Sequence, residues 1–469
     1  MKPSLVLLSI ALAGCVHFPP SVSLVSIAPQ ADELIFHDVA VFTGTSSELL
    51  AHRDVLVRDG RIISVLPTQA LALAATKATV FEGAGKTLMP GLIDAHTHPT
   101  GSGAPFYRLE VPDVKRNLQA ELYSGVTTVF VAGGNPIELR DLAEQIDGEK
   151  LIGPRILHAG RIVTKRDGYP PVMIKELVPW PLAGFAADDF AAQVSGAKEA
   201  REAVRKNLAA GASFVKIAVT ELPDHSPRLN QTEIEAAVEE AHRASKKVVA
   251  HVDSAEDALL CARAGVDALW HDVQLDALTP GQVKLLAARI HTLVPTLSTF
   301  DAFDALLDGN IKPSPLLRQT ESPALIQSLL EARQHVAEIP PRLLVWMKKL
   351  HANHEGRRAN VRALHEAGVT ILVGTDANGA DGSFPASIHD ELRALGESGL
   401  GNAEVLLGAT SRAARFLDAD PNYGTIEAGK SADLLLLDGN PLADLGATAR
   451  ISAVVARGRV IDRGPGFAK

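Results

Sequence analysis

The chain has 469 residues, 46% hydrophobic and 22% charged, which is enough to bury a large core and more than one ordinary domain holds. Its formal charge of −9 is spread along the chain without a basic run, which argues against nucleic-acid binding. Only Cys15 and Cys261 are present, so no disulfide framework is expected.

At the N-terminus, Lys2 is a short positive region, residues 5–11 are apolar, and Leu12-Ala13-Gly14-Cys15 follows. The apolar stretch is too short to span a bilayer, and residues 1–14 have the layout of a secretory signal. Small residues leading into a cysteine resemble the lipobox of bacterial lipoproteins, which implies lipid on Cys15 and cleavage ahead of it. An ordinary signal peptide or a frayed terminus is the alternative. Val16 stands where an Asp would retain such a protein at the inner membrane. The expectation is therefore an exported chain, lipid-anchored in the outer membrane and facing the periplasm. Residues 15–32, with Pro19-Pro20 and several serines, read as a tether.

Residues 33–88 alternate and turn like a β-meander, with Asp59-Gly60 as a hairpin turn between two apolar runs. Strands of the same style return at 432–437 and 454–461, so segments 33–88 and 423–469 predict one small β-sandwich made from both chain ends. Between them, over 89–422, apolar strands alternate with helical stretches. Strands are expected near 92–98, 126–131, 155–159, 214–219, 248–251, 268–271, 292–297 and 370–376. Helices are expected over 188–210, 231–245, 254–264, 280–288 and 342–367. Cys261 falls in the helix that Ser254 and Asp257 open as a capping box and Gly265 closes, where it is expected as a buried small apolar residue. This alternation predicts an α/β fold, a (β/α)8 TIM barrel. An insertion over 300–341 is expected to sit above the barrel mouth as a lid or specificity element.

Active sites of such barrels lie where the strands end. Six metal-capable groups fall there: His96, His98, Lys216, His251, His271 and Asp376. His96 and His98, two apart on one strand, point to the same side, as ligands for a divalent metal would. In Ser213-Phe-Val-Lys-Ile-Ala-Val219 the β-branched residues take one face, which sends Lys216 into the barrel. A buried lysine without a partner tends to lose its proton, and the neutral amine can add CO2 to give a carbamate able to bridge two metals. A salt-bridged interior lysine is the alternative. His251 and His271 each end an apolar run, where a lone histidine is more often a core residue or a cap. Asp376 can instead cap the following helix.

The set resembles the amidohydrolase superfamily, in particular its imidazolonepropionase-like and prolidase-like branch. The stretches that carry the likeness are Met89-Pro-Gly-Leu-Ile-Asp-Ala-His-Thr-His98, Gly125-Val-Thr-Thr-Val129, Gly374-Thr-Asp376, Ala409-Thr410 with Ala413-Ala414, and Gly424-Thr-Ile-Glu-Ala-Gly-Lys-Ser-Ala-Asp-Leu434. The resemblance implies a barrel with a β-sandwich and two divalent ions, zinc being the metal expected and manganese, cobalt or iron the alternatives. It implies that His96, His98 and Asp376 bind one ion, His251 and His271 the other, and carboxylated Lys216 bridges both. A hydroxide between the ions would attack a carbonyl, with Asp376 as acid and base. Members of this branch often carry Gly-Gly-His after the third strand and a Gly-Gly turn after the lysine. This chain has Thr164-Lys-Arg-Asp-Gly-Tyr-Pro170 and Thr220-Glu-Leu-Pro-Asp-His-Ser226 instead, so dipeptide specificity is not implied. Lys165, Arg166 and Tyr169 are candidates to hold a substrate carboxylate.

The leading reading is a binuclear hydrolase of a C–N amide bond in a dipeptide, N-acyl amino acid or cyclic amide. A mononuclear hydrolase or deaminase using His96, His98, His251 and Asp376 is the second. A surface lipoprotein that keeps the barrel only for binding is the third.

Overall fold

The computed structural model describes residues 16–20, 22–68, 77–178, 180, 182–379 and 382–467, so the signal segment and Cys15 lie outside the described residues. Eight parallel barrel strands appear in the expected order. They are Leu92–Thr97, Val126–Val131, Arg155–His158 continued by Ile162–Lys165, Val215–Ala218, Val248–His251, Ala268–Trp270, Thr292–Val294 and Thr370–Ile371. Each pairs with the next. The last returns to the first through Ala95 N donating to Val373 O at 2.9 Å and His98 N donating to Ala377 O at 2.8 Å. Alternation along a strand sorts the side chains. Val215, Ile217 and Val219 pack outward with helix residues such as Val204 and Ile234, whereas Phe214 turns inward with Phe130, Val249 and Trp270.

Local chemistry explains the helix ends. The Ser254 side chain accepts from Asp257 N, and Gly265 at φ 82° ends the helix Ala255–Ala264 with Cys261 buried and unpaired inside it. Two expected helices are broken. Span 188–210 holds the end of Leu182–Phe190, then a strand, Ala191–Val194, on the edge of Ile162–Lys165, then Ala197–Ala209. Gly196 at φ 107° makes that second break. Span 342–367 divides at Asn353 into Pro341–Ala352 and His354–Glu366. The seventh strand stops earlier than expected, because Thr296 takes φ 54° and the helix Leu297–Asp308 starts directly after it.

The insertion packs on loops that leave the strand ends. Phe300, Phe303 and Trp346 share a cluster with Leu222, Phe106 and Tyr169, and Leu325 and Leu329 pack on Phe384 and Ala104. It therefore lies over the barrel mouth.

A nine-stranded sheet is built from both chain ends, with Leu434–Asp438 antiparallel to Lys86–Pro90. Within the stretch expected as a tether, Val25–Ile27 pairs with Arg459–Arg463 and Leu24 is buried. Leu434 and Leu436 face a core with Phe36, Val55 and Val455, while Leu435 and Leu437 face the barrel's outer core. Among the described residues no helix is long and apolar enough to cross a membrane.

Candidate metal centre

His96 and His98 leave the first barrel strand on one side, and Asp376 follows the eighth. His98 Nε2 lies 3.0 Å and His96 Nε2 3.3 Å from the same Asp376 oxygen, Oδ1. The His271 ring stands 4.7 Å from that of His96 and 4.4 Å from that of His251. Lys216 Nζ sits 4.6 Å over the Trp270 ring, on which the His96 ring stacks at 4.7 Å. Four imidazoles, one amine and one carboxylate from five strands thus share a cup floored by indole.

Several residues hold that geometry. A Cβ at Gly374 would come within 2.8 Å of His96 N, so the first and eighth strands can approach this closely only with glycine there. His271 at φ 72° and Asp376 at φ 56° take the left-handed conformation at their strand ends. Asp94 Oδ1 accepts from His96 N at 2.9 Å and Thr375 N at 3.1 Å, and its Oδ2 accepts from Thr375 Oγ1 at 2.5 Å. One carboxylate therefore ties His96 to the turn that carries Asp376. Thr296 Oγ1 donates to Pro295 O at 2.7 Å, so at 2.6 Å from His271 Nδ1 it accepts that N–H. His271 keeps its lone pair on Nε2. The sequence reading passed over both Asp94 and Thr296. Asp94 had a signal, since it shares the strand side of His96 and His98. A left-handed threonine has none.

Burial sets the electrostatics. It holds the His96 and His271 imidazoles well below their ordinary range, with the Lys216 charge adding to it at His96 and the His251 charge at His271. The Lys216 amine is pulled down to about 7 by burial, against the pull of Asp376. Burial likewise raises Asp94 to about 7, against its three hydrogen bonds. Lys216 Nζ and His251 Nε2 are buried with no hydrogen-bond partner among the described residues. Buried polar atoms left so are costly, and imidazole nitrogens, a carboxylate and an amine that carries a lone pair near neutral pH fit a divalent cation.

Of the three residues expected at a substrate carboxylate, Tyr169 reaches the cup, its ring 4.5 Å from that of His251. Lys165 Nζ is held at 2.6 Å by Glu233 Oε1, and Arg166 is exposed, bonded to Ser195 Oγ at 3.0 Å and Glu199 at 3.4 Å. Both therefore already spend their charge on protein partners. Asp301, Asp304 and His354 form another group with metal-ligand spacing. Arg357 at 2.5 Å from Asp304 and Arg358 at 2.6 Å from Asp301 fill it, which makes it an ion-pair network.

Comparison with known proteins places the chain in a family. Ochratoxinase of Aspergillus niger is 25% identical over 416 residues, 81% of this chain and 76% of its own. An uncharacterized protein of Mycobacterium tuberculosis is 28% identical over 386 residues, 81% of this chain and 86% of its own. A prolidase solved in complex with N-methylphosphonate-L-proline superimposes with a TM-score of 0.71 at 26% identity, over 92% of this chain and 100% of that one. Residues 87–461 match the amidohydrolase family, so a strand-end cup of histidines, lysine and aspartate in a (β/α)8 barrel belongs here to a member of that family, and the protein is a hydrolase.

Proposed function

We propose that the protein is a binuclear metal-dependent hydrolase that cleaves a carbon–nitrogen amide bond in a small substrate. The carrying observation is Lys216, an amine buried inside the ring of ligands with no hydrogen-bond partner among the described residues. A structural interior lysine would be expected to have a carboxylate at bonding distance. Its pKa of about 7 leaves a large neutral fraction at neutral pH, ready to take up CO2 as a carbamate. His96, His98 and Asp376 would hold one cation, His251 and His271 the other, with the carbamate of Lys216 common to both. Zinc suits such a set, and manganese, cobalt or iron are the alternatives. Bound divalent ions supply Lewis acidity toward a carbonyl and make water more acidic.

The remaining work falls to the chain. Asp376, the least buried of the six, takes the proton of the attacking water and returns it to the leaving nitrogen. Water oxygen joins the carbonyl carbon as the C–N bond breaks, giving an acid and an amine. Asp94 and Thr296 keep His96 and His271 aimed, and the insertion covers the mouth. Kinship with a prolidase and with ochratoxinase supports an amide or peptide as the substrate class. Metal analysis of the active protein should give two ions per chain, and 13C-bicarbonate should give a carbamate resonance that Lys216→Ala lacks. One ion at full activity sinks the binuclear reading.

We also propose, on the N-terminal sequence alone, that Cys15 carries lipid and that the protein faces the periplasm from the outer membrane. Cys15→Ala should move it from the membrane to the soluble fraction. Unchanged membrane association overturns this.

A further inference from the structure

Three aromatic rings face the imidazoles of the cup. Tyr169 stands 4.5 Å from His251, Phe190 5.4 Å from His98 and Phe300 5.5 Å from His271, centroid to centroid. Tyr169 and Phe190 are half-buried and pack beside Ala218 at the end of the fourth strand. Tyr169 also shares a cluster with Phe300 and Phe303 of the covering insertion and with Trp346 of the helix Pro341–Ala352, so the wall is continuous around one side of the cup. Rings placed this way present π faces and edges to whatever flanks the bond being cut.

Three basic residues on elements around the cup are already engaged by buried acids, and the exposed Arg166 is bonded to Ser195 and Glu199. Lys165 is 2.6 Å from Glu233, Arg228 is 2.5 Å from Asp257, and Arg357 is 2.5 Å from Asp304. The partner carboxylates are only 1%, 3% and 10% exposed. Turning one of these cations to a substrate carboxylate would strand a buried carboxylate without its partner, which is strongly unfavourable. A substrate anion thus competes against the protein's own acids, while a flat apolar group meets the phenyl rings of Phe190 and Phe300, which carry no hydrogen-bonding group.

Resting on the hydrolase reading above, we propose that the substrate is an amide flanked by aromatic or other flat apolar groups and free of a carboxylate beside the scissile bond. Water adds across that amide to release an acid and an amine, as for any substrate of the class. The test uses the metal-loaded full-length protein and two compounds that differ by one carboxylate, N-benzoyl-phenylalanine and N-benzoyl-2-phenylethylamine. N-acetyl-2-phenylethylamine reports on the acyl-side ring. Each is read as kcat/KM where it is turned over and as Kd by calorimetry where it is not. The compound without a carboxylate should be preferred by roughly tenfold or more, a difference of about 1.4 kcal/mol. Phe190→Ala and Phe300→Ala, checked for unchanged metal content, should each shrink the preference for benzoyl over acetyl several-fold. Equal or better use of N-benzoyl-phenylalanine overturns the proposal, as does failure of both benzoyl compounds to bind or react. Metal content and turnover of any amide decide the hydrolase reading separately, so the two can fail independently.

Discussion

An amine lying over an indole face, with no hydrogen-bond partner among the described residues, is pulled down to about 7 by burial against the attraction of Asp376. That makes Lys216 the most consequential side chain in the cup. Lys216→Ala should lower kcat by about a thousandfold or more and reduce the bound metal, both read on the purified variant. Asp94 acts at one remove. Asp94→Asn keeps the shape but turns one acceptor oxygen into a donor, facing either Thr375 Oγ1 or the two backbone amides. Metal affinity should fall by about 10- to 100-fold, measured by chelator competition, with the fold retained. Much of this cup was legible beforehand, because strand parity placed His96, His98 and Lys216 without any tertiary information. Phe190 was not, since it ends a helix at its junction with the strand Ala191–Val194 and meets His98 only through tertiary packing.

Helices and strands were readable where caps and periodicity agreed and unreadable where they did not. The capping box at Ser254 and the left-handed Gly265 delimit their helix as sequence chemistry requires. Ala191-Ala-Gln-Val194 is alanine-rich and reads as helix, yet it pairs with Ile162–Lys165 because tertiary context overrides weak propensity. The insertion's first helix shows another device no local pattern reveals. Thr296 gives it no side-chain cap, and Glu391 from a distant helix accepts from Ser298 N at 2.6 Å instead. Burial raises the Glu391 carboxyl to about 8. An acid whose folded pKa is raised stabilises fully below its unfolded value near 4.5 and loses that contribution as pH climbs through 8. Glu391→Gln should therefore gain melting temperature relative to the parent as pH rises from 5 to 9, with little gain at the acid end. Calorimetric scans across that range (on the order of six pH points) check it. Trp346, packed against Phe303 at 5.6 Å, anchors the same insertion. Trp346→Ala should cost about 3–5 kcal/mol within the insertion and raise KM, with metal content unchanged.

At the scale of the molecule, the terminal sheet is joined to the barrel by alternate residues of one strand. Leu435 and Leu437 belong to the barrel's outer core, Leu434 and Leu436 to the sheet's own. Leu437→Ala should cost about 2–5 kcal/mol by chemical denaturation while leaving metal content unchanged, since it belongs to the barrel's outer core and not to the inner cluster that holds Trp270. The composite character of this sheet was visible in the sequence as matching strand patterns at both ends. Its extension by Val25–Ile27 was not, because prolines and serines nearby gave that stretch the composition of a linker.

Lys86–Pro90 pairs on one side with Glu33–Phe42 and on the other with Leu434–Asp438, which lies on the far side of the whole barrel in chain order. Until that second partner forms, the opening strands pair with one another but one edge of Lys86–Pro90 stays open and the leucines it would cover stay wet. Closing that edge therefore waits on the whole barrel between, and the two cores are sealed together rather than in turn.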